Sequence, residues 1–210
     1  MRRKHTIYLI KIILGLYIMK NNIFLLAFSF ILFGCSTTEE MKINPRSLWN
    51  AAEPKPFENH IPERITIHHE GTRFEKGGDA PKHIKNVQTW GMGKDRNWAD
   101  IPYHFLIDPD GNIFEGRNVF TTGETATEYD PTGHLLITLM GNFEEQEVSE
   151  EQLNALINLT AYCCEKYNIS SETIASHRDH SAQTVCPGKN LYFNYIKNGY
   201  LKDKVKELIK

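Results

Sequence analysis

Three short stretches of the 210-residue sequence concentrate side chains that can bind a metal ion or take part in hydrolysis. The first contains the adjacent histidines His68 and His69, the second contains Tyr103, and the third runs from His177 to Cys186. Neutral imidazole and thiolate are favoured zinc ligands, and a catalytic zinc site uses three protein ligands and one water. The sequence therefore offers the ligand types of a zinc site with two histidines and one cysteine.

The types of residue alone leave other chemistry open. His177 and Cys186 lie nine residues apart in a segment without helical periodicity, so a loop could bring both to one ion. A single histidine is more often a surface or core residue than a ligand. A second reading makes Cys186 the nucleophile of a cysteine peptidase with His177 as its base. Pro187 follows the cysteine and no helix opens there, which disfavours the peptidase.

The strands that must position these residues are visible as apolar patterns. Residues 65–68 alternate apolar and polar side chains and predict a strand that ends at the histidine pair. Residues 103–107 and 113–114 predict a hairpin, because the segment 108–111 between them has proline second and glycine last, as a tight turn requires. Residues 135–140 are almost continuously apolar, which indicates a strand buried on both faces.

Helices are predicted between and after these strands. Residues 82–90 space their apolar side chains like one face of a short helix. Ser149 and Gln152 form a capping-box pattern that opens a helix running to about Tyr167. Residues 201–209 predict a final amphipathic helix. This mixture of elements predicts an α/β domain whose sheet is covered by helices on both faces.

The N-terminal residues 1–35 have the features of a targeting segment. Met19 begins a short positive start, which is followed by an eleven-residue apolar run over 23–33. This run is shorter than the roughly 20 residues of a membrane-spanning helix. The segment that ends at Cys35 resembles the lipobox of bacterial lipoproteins, although Phe33 is bulkier than the residue usual there. It predicts a lipid such as palmitate on Cys35, a membrane anchor and a location in the cell envelope.

Residues 1–18 contain a second apolar stretch. A signal that begins at Met19 is complete without it, so translation is predicted to start at Met19. The alternative is a real N-terminal helix that keeps the protein in the inner membrane. N-terminal sequencing of the unprocessed precursor decides between them, because a peptide from residues 2–18 would exclude a start at Met19.

Charge and composition narrow the class of protein further. The chain is 40% hydrophobic and 24% charged, as in a soluble globular domain. Beyond residue 35 it carries 19 basic and 26 acidic residues, which argues against nucleic acid as the main partner. Residues 36–60 are polar and proline-containing and predict a tether. The folded domain is then expected over 61–210, as a monomer.

The four cysteines do not require a disulfide. Cys35 is assigned to the lipid and Cys186 to the candidate metal site. Cys163 and Cys164 are adjacent in a predicted helix, where their side chains diverge. Both are therefore predicted to be small buried hydrophobic residues.

Several motifs, taken in order, resemble those of the N-acetylmuramoyl-L-alanine amidase family, which includes phage lysozyme-type amidases and animal peptidoglycan recognition proteins. The matching segments are the histidine pair, Trp98-Ala99-Asp100-Ile101-Pro102-Tyr103-His104-Phe105, Asp110-Gly111 through Glu115-Gly116-Arg117, Gly141-Asn142-Phe143, His177-Arg178-Asp179 and Cys186-Pro187-Gly188. The resemblance covers about residues 61–195. It implies a single domain with a central mixed sheet flanked by helices.

The resemblance also implies an activity and its residues. The activity is zinc-dependent hydrolysis of the amide between N-acetylmuramic acid and L-alanine, with peptidoglycan or its muropeptide fragments as the partner. Zinc would be held by His68, His177 and Cys186, and Tyr103 would be catalytic. Thr184 would also be catalytic, as a donor to the developing oxyanion, because it matches a position that holds lysine in phage enzymes and threonine in many recognition-protein amidases.

The choice of His68 over His69 follows from the family alignment and from the alternation of side chains along a strand. A groove for an extended peptide is expected to use polar and aromatic groups, whereas Trp98 is expected to pack beneath the Tyr103 strand. The candidates for substrate binding are Arg73, Trp90, His104, Arg117 and Asn142.

The sequence departs from the family pattern in two places. The interval from His177 to Cys186 is one residue longer than in the animal proteins, which puts the position of Thr184 in doubt. Residues 125–134 do not follow the usual pattern, so one wall of the groove is undefined. A non-catalytic peptidoglycan-binding protein is the alternative function, but such relatives generally lack the cysteine ligand, and here Cys186 is present.

Overall fold

A computed structural model describes residues 41–209 of the chain. The predictions for the targeting segment, for the start at Met19 and for lipidation of Cys35 lie outside the described residues. Between residues 41 and 209, no helix is both long enough and apolar enough to span a membrane.

A six-stranded mixed sheet forms the centre of the domain, in the order β1-β4-β3-β5-β2-β6. The strands are β1 (Ile43–Asn44), β2 (Arg64–His69), β3 (Phe105–Ile107), β4 (Ile113–Glu115), β5 (His134–Leu139) and β6 (Ala175–Ser176). Strands β3 and β4 are antiparallel, which confirms the predicted hairpin, and the remaining pairs are parallel. All six residues of β5 are buried, as its apolar run predicts.

Helices cover the sheet on both faces. They are α1 (Ala80–Gly91), α2 (Glu150–Tyr167), α3 (His177–His180), α4 (Lys189–Leu191) and α5 (Tyr200–Leu208), with short 3-10 turns at Arg46–Trp49 and Ser171–Thr173 and a π-helical turn at Tyr192–Ile196. Helices α2 and α5 pack on one face through a large apolar cluster that includes Cys163 and Cys164. Helix α1 packs on the other face around Leu106 and Phe114. The predicted fold class is confirmed.

The start of α2 differs from the predicted capping box in one contact. The Ser149 hydroxyl accepts a hydrogen bond from the Gln152 amide at 3.1 Å, as expected. The Gln152 side chain does not return to Ser149. Instead its Nε2 donates to the carbonyls of Ile107 and Met140, at 2.9 and 3.1 Å. Gln152 therefore satisfies buried strand carbonyls and fixes the helix to the sheet, a tertiary contact that a local motif does not report.

The predicted tether over 36–60 is wrong for residues 41–60, which pack on the domain. Strand β1 pairs with β4 at the edge of the sheet. Trp49 is 1% exposed, and its indole N–H donates to the Glu115 carbonyl. Arg46 forms an ion pair with the buried Asp100 at 2.9 Å. Scattered prolines suggested an extended linker, but the segment is docked by one buried tryptophan and one partly buried ion pair.

Candidate metal centre

Three predicted ligands meet at one edge of the sheet. His68 lies near the end of β2, His177 is the first residue of α3, and Cys186 lies in the loop that follows α3. One candidate ligand atom from each lies within 4.8 Å of the other two, and all three residues are buried. Cys186 Sγ lies 3.6 Å from His68 Nδ1. The structure thus assembles the group that the sequence predicted.

The adjacent His69 takes a different part. Its Nδ1 accepts a hydrogen bond from the Phe143 amide at 3.2 Å, so its ring supports a neighbouring loop. Its own backbone amide donates to Cys186 Sγ at 3.3 Å. The two histidines therefore have different functions. The His68 ring is part of the ligand cluster, and the His69 backbone amide donates a hydrogen bond to Cys186 Sγ.

The charge states of the cluster suit a cation. Burial lowers the pKa of His68 well below its usual value and that of His177 to about 4, so both imidazoles are neutral near pH 7. Burial also raises the pKa of the Cys186 thiol to about 12. A divalent cation reverses this last effect, because it deprotonates a coordinating thiol. Two neutral imidazoles and one thiol are the donor set that zinc favours, so the residues fit the metal.

A glycine contact fixes the loop that carries Cys186. Gly188 has a φ of +87° and lies directly against the backbone of Phe143. A Cβ at position 188 would stand 2.4 Å from the Phe143 carbonyl carbon. Only glycine allows this approach of two backbones together with a positive φ. The position of the sulfur is therefore set by main-chain packing two residues away.

The predicted catalytic groups border the cluster. The Tyr103 ring lies 5.5 Å from the His68 ring, and burial raises the pKa of its hydroxyl, so the phenol is protonated at neutral pH. The Thr184 Oγ1 accepts a hydrogen bond from the Cys186 amide at 3.0 Å. Its own proton remains available for donation. The longer interval before Cys186 therefore still leaves Thr184 beside the cluster.

A cavity of about 730 Å³ opens on the three ligands. Tyr103, Thr184 and the predicted binding residue Trp90 line it. Trp98 lines it as well, with its ring edge-on to Trp90 at 5.5 Å. The expectation that Trp98 packs beneath the Tyr103 strand is therefore wrong. Arg96 stacks on the faces of both tryptophans, which holds Trp98 at the cavity wall.

Residues 124–127 line the cavity and form part of the wall that the sequence left undefined, but the contacts of this segment with the histidines were not predicted. Thr127 Oγ1 lies 2.7 Å from His177 Nε2, and the Tyr129 hydroxyl lies 3.5 Å from His68 Nε2. This segment departs from the family pattern, so the motifs gave no signal for it. The sequence signal that could have indicated these contacts is the row of hydroxyl-bearing residues at alternate positions, Thr125, Thr127 and Tyr129.

Arg117 was predicted to bind substrate, and this prediction is wrong. The side chain is 1% exposed. Its guanidinium donates to the carbonyls of Ile101 and Thr122 and forms an ion pair with Glu124. Every arm of the guanidinium is thus used inside the protein. Arg117 holds the loop that leads into the cavity wall.

Replacing Arg117 by methionine is expected to lower the free energy of unfolding by about 3–5 kcal/mol, because Glu124 would lose its partner in a buried pair. Denaturant unfolding followed by circular dichroism measures the change. The exposed Arg73, which pairs with Glu75, is the matched control, and its methionine variant should stay within about 0.5 kcal/mol of the wild type. An Arg117→Met protein of unchanged stability would contradict this assignment.

His104 was also predicted to contact substrate, and it is fully buried instead. Its Nδ1 accepts from the Leu136 amide at 2.8 Å, and its Nε2 donates to the Thr121 carbonyl at 2.9 Å. Both ring nitrogens are satisfied by backbone, so none is left for a ligand. The residue links β5 to the loop after β4.

Arg73 and Asn142 likewise lie outside the cavity wall. Arg73 is exposed and pairs with Glu75 at 2.7 Å. The Asn142 side chain accepts from the Glu144 amide at 3.2 Å and shapes a turn. Of the five residues predicted to bind substrate, Trp90 is the one that lines the cavity. His104, Arg117 and Asn142 matched family motifs whose contacts here are structural, and Arg73 lies in an exposed ion pair.

The mixed sheet flanked by helices and the buried His-His-Cys group are those expected of the amidase family that the sequence resembles, and comparison with known sequences identifies the same family. The chain belongs to the N-acetylmuramoyl-L-alanine amidase family, whose sequence profile matches residues 58–189. Peptidoglycan-recognition protein SD of Drosophila simulans is 31% identical over 158 residues, which cover 73% of this chain and 83% of the relative.

Solved structures include both amidases and recognition proteins. The N-acetylmuramoyl-L-alanine amidase LysC from Clostridium intestinale is 29% identical with a TM-score of 0.63, and the match covers 81% of this chain and 99% of that one. Peptidoglycan recognition protein-LE, solved in complex with tracheal cytotoxin, a monomeric diaminopimelic acid-type peptidoglycan, is 32% identical with a TM-score of 0.64, covering 72% and 90%. The family thus contains relatives that hydrolyse and relatives that recognise.

Proposed function

We propose that this protein is a zinc-dependent amidase that hydrolyses the bond between N-acetylmuramic acid and L-alanine in peptidoglycan or its fragments. The observation that carries the proposal is the buried group of His68, His177 and Cys186, whose ligand atoms lie within 4.8 Å of one another. A protein that only bound peptidoglycan would not need three convergent metal ligands beside a tyrosine hydroxyl. Family membership supplies the substrate class.

The side chains around the cluster have separate tasks in this reaction. Zinc held by the three ligands supplies a Lewis acid and lowers the pKa of water toward about 7. The Tyr103 hydroxyl, kept protonated by burial, orients the attacking water by a hydrogen bond and supports transfer of its proton toward the leaving nitrogen. The Thr184 hydroxyl donates to the oxygen of the scissile carbonyl as negative charge develops there. Trp90 and Trp98 hold the substrate against the cavity wall.

The state of the thiol disfavours the cysteine-peptidase alternative. A nucleophilic cysteine requires a lowered pKa, whereas burial raises that of Cys186 to about 12. The imidazole nitrogen that lies 3.6 Å from the sulfur, His68 Nδ1, belongs to the proposed metal site. The arrangement suits a ligand better than a nucleophile.

The test is to incubate the purified protein with peptidoglycan, with and without a chelator, and to quantify new N-terminal L-alanine. Release that disappears with the chelator and returns with added zinc supports the amidase. Release that resists the chelator and is abolished by a thiol alkylator would favour the peptidase. Binding of muropeptide without any release would favour the recognition protein.

We propose further that a lipid on Cys35 anchors the protein in the cell envelope, facing the periplasm or the exterior. The lipobox-like segment that ends at Cys35 supports this location. Mass spectrometry of the mature N-terminal peptide should find a lipid-modified cysteine. An unmodified peptide that spans residues 34–36 would contradict it.

A further inference from the structure

One short segment contacts the Nε2 atoms of both proposed zinc histidines. Thr127 Oγ1 lies 2.7 Å from His177 Nε2, and Tyr129 Oη lies 3.5 Å from His68 Nε2. The two hydroxyls are thus two residues apart in sequence and reach two ligands that are far apart in sequence. The first contact is a short hydrogen bond, and the second is at the long limit of one.

The segment is held in place from both sides. Thr125 Oγ1 lies 3.0 Å from Thr127 Oγ1 and accepts from the Thr127 amide at 3.3 Å. The Ser181 hydroxyl, just after α3, donates to the Glu128 carboxylate at 2.6 Å. These contacts hold the segment in the position that places Thr127 beside His177.

The ring of Tyr129 adds a second restraint. It lies 5.1 Å from the His177 ring and stacks at 5.7 Å on the ring of His180. The phenol is therefore packed between the rings of His177 and His180, with its hydroxyl 3.5 Å from His68 Nε2. Side chains restrained in this way can orient an imidazole with little loss of entropy on metal binding.

An imidazole that binds a metal through one nitrogen carries its proton on the other, and the partner of that proton fixes the tautomer and the ring orientation. A hydrogen bond from Nε2–H to a hydroxyl leaves the Nδ1 lone pair free. His68 Nδ1 is indeed the nitrogen that faces Cys186 Sγ, at 3.6 Å. We propose that Thr127 and Tyr129 are positioning residues that fix the zinc-binding tautomers of His177 and His68.

This inference rests on the proposed function, since it assumes that the cluster binds zinc. It goes beyond it in assigning a role to a segment that departs from the family motifs. Thr127 would then have two functions, because it lines the proposed substrate cavity and also contacts His177. The zinc site of this chain is therefore supported by its own cavity wall.

The test measures zinc affinity by competition with a chromophoric chelator, without substrate. Thr127→Val keeps the shape of the side chain and removes the hydroxyl, and its Kd for zinc should rise about 10- to 100-fold. Thr127→Ser restores the hydroxyl and should bind zinc like the wild type. The matched control is Thr122→Val, because the buried Thr122 hydroxyl has no hydrogen-bond partner within the described residues.

Tyr129→Phe tests the second contact, with Tyr167→Phe as the control on a distant helix. The longer distance predicts a smaller rise in Kd than for Thr127→Val, and the control should show none. In the zinc-loaded wild type, nitrogen-15 spectra should show the His177 ring proton on Nε2, and this proton should exchange faster with solvent in Thr127→Val.

The outcomes separate this inference from the proposed function. Wild-type protein that fails to bind zinc would refute the proposed function. Wild-type protein that binds zinc, with Thr127→Val and Tyr129→Phe binding it equally well, would overturn the present inference alone. Thermal unfolding of each metal-free variant identifies any variant that does not fold. If Thr127→Val does not fold, the zinc affinity of Thr127→Ser is compared with that of the wild type, and a Kd unlike that of the wild type would contradict the inference.

Discussion

Cys186→Ser protein should lose bound zinc and at least about 10³-fold in amidase activity, because a metal site contributes several kcal/mol of transition-state stabilisation. Serine has nearly the same shape, but its hydroxyl is a poor zinc ligand at neutral pH. The His69 amide, which donates to the sulfur at 3.3 Å, would lose a charged acceptor as well. Metal content by atomic absorption and release of N-terminal alanine measure the two losses.

The control is Cys164→Ala, which removes a buried thiol from α2, away from the cavity. It should keep both its zinc and its activity. Muropeptide binding by Cys186→Ser protein, measured by calorimetry, should persist, since Trp90 and Trp98 remain in the cavity wall. Full activity in Cys186→Ser protein without zinc would refute a metal-dependent mechanism.

Tyr103→Phe protein should retain zinc and lose about 10²- to 10⁴-fold in kcat, the range for removal of a group that assists proton transfer. The KM should change little, because the ring that contacts His68 remains in place. Steady-state kinetics on a soluble muropeptide separate the two constants. The prediction distinguishes a role in chemistry from a role in binding, which would raise KM instead.

Tyr162→Phe is the matched control, since the Tyr162 hydroxyl contacts Lys166 on the surface of α2. Its kinetics should equal those of the wild type. Tyr103→Phe protein with wild-type kcat would remove Tyr103 from the mechanism and leave Thr184 as the remaining candidate donor at the cluster. Zinc analysis of each preparation ensures that a fall in kcat does not reflect loss of metal.

Much of the scaffold could be predicted because its signals are local. The apolar run of β5 indicated a strand buried on both faces, and the turn over 108–111 indicated the β3–β4 hairpin. Helices α1, α2 and α5 followed from periodicity and, for α2, from the Ser149 cap, whereas the short helices α3 and α4 were not predicted. The order of strands in the sheet depends on pairing between distant segments, so the local patterns could not give it, and the family resemblance implied only a central mixed sheet.

The metal ligands could be predicted because their residue types and motifs indicate their function. The functions of residues that depend on tertiary contacts could not be predicted. His68, His177 and Cys186 converge as expected. Arg117 is chemically suited to bind a carboxylate, but it is consumed by backbone carbonyls and Glu124 that only the tertiary structure brings to it. The contact of Thr127 with His177 could not be predicted, because a threonine gives no sequence signal for a hydrogen bond to a histidine fifty residues away.

The close approach of Gly188 to Phe143 also bears on how the gene can vary. Any side chain at position 188 would push the loop outward and displace the sulfur it carries, even though Gly188 is not one of the three proposed ligands. In a library of random variants selected for lytic activity, alanine at this position should therefore be depleted almost as strongly as the loss of the cysteine. Selection for the ligand Cys186 would therefore also keep Gly188 unchanged, although Gly188 has no reactive side chain.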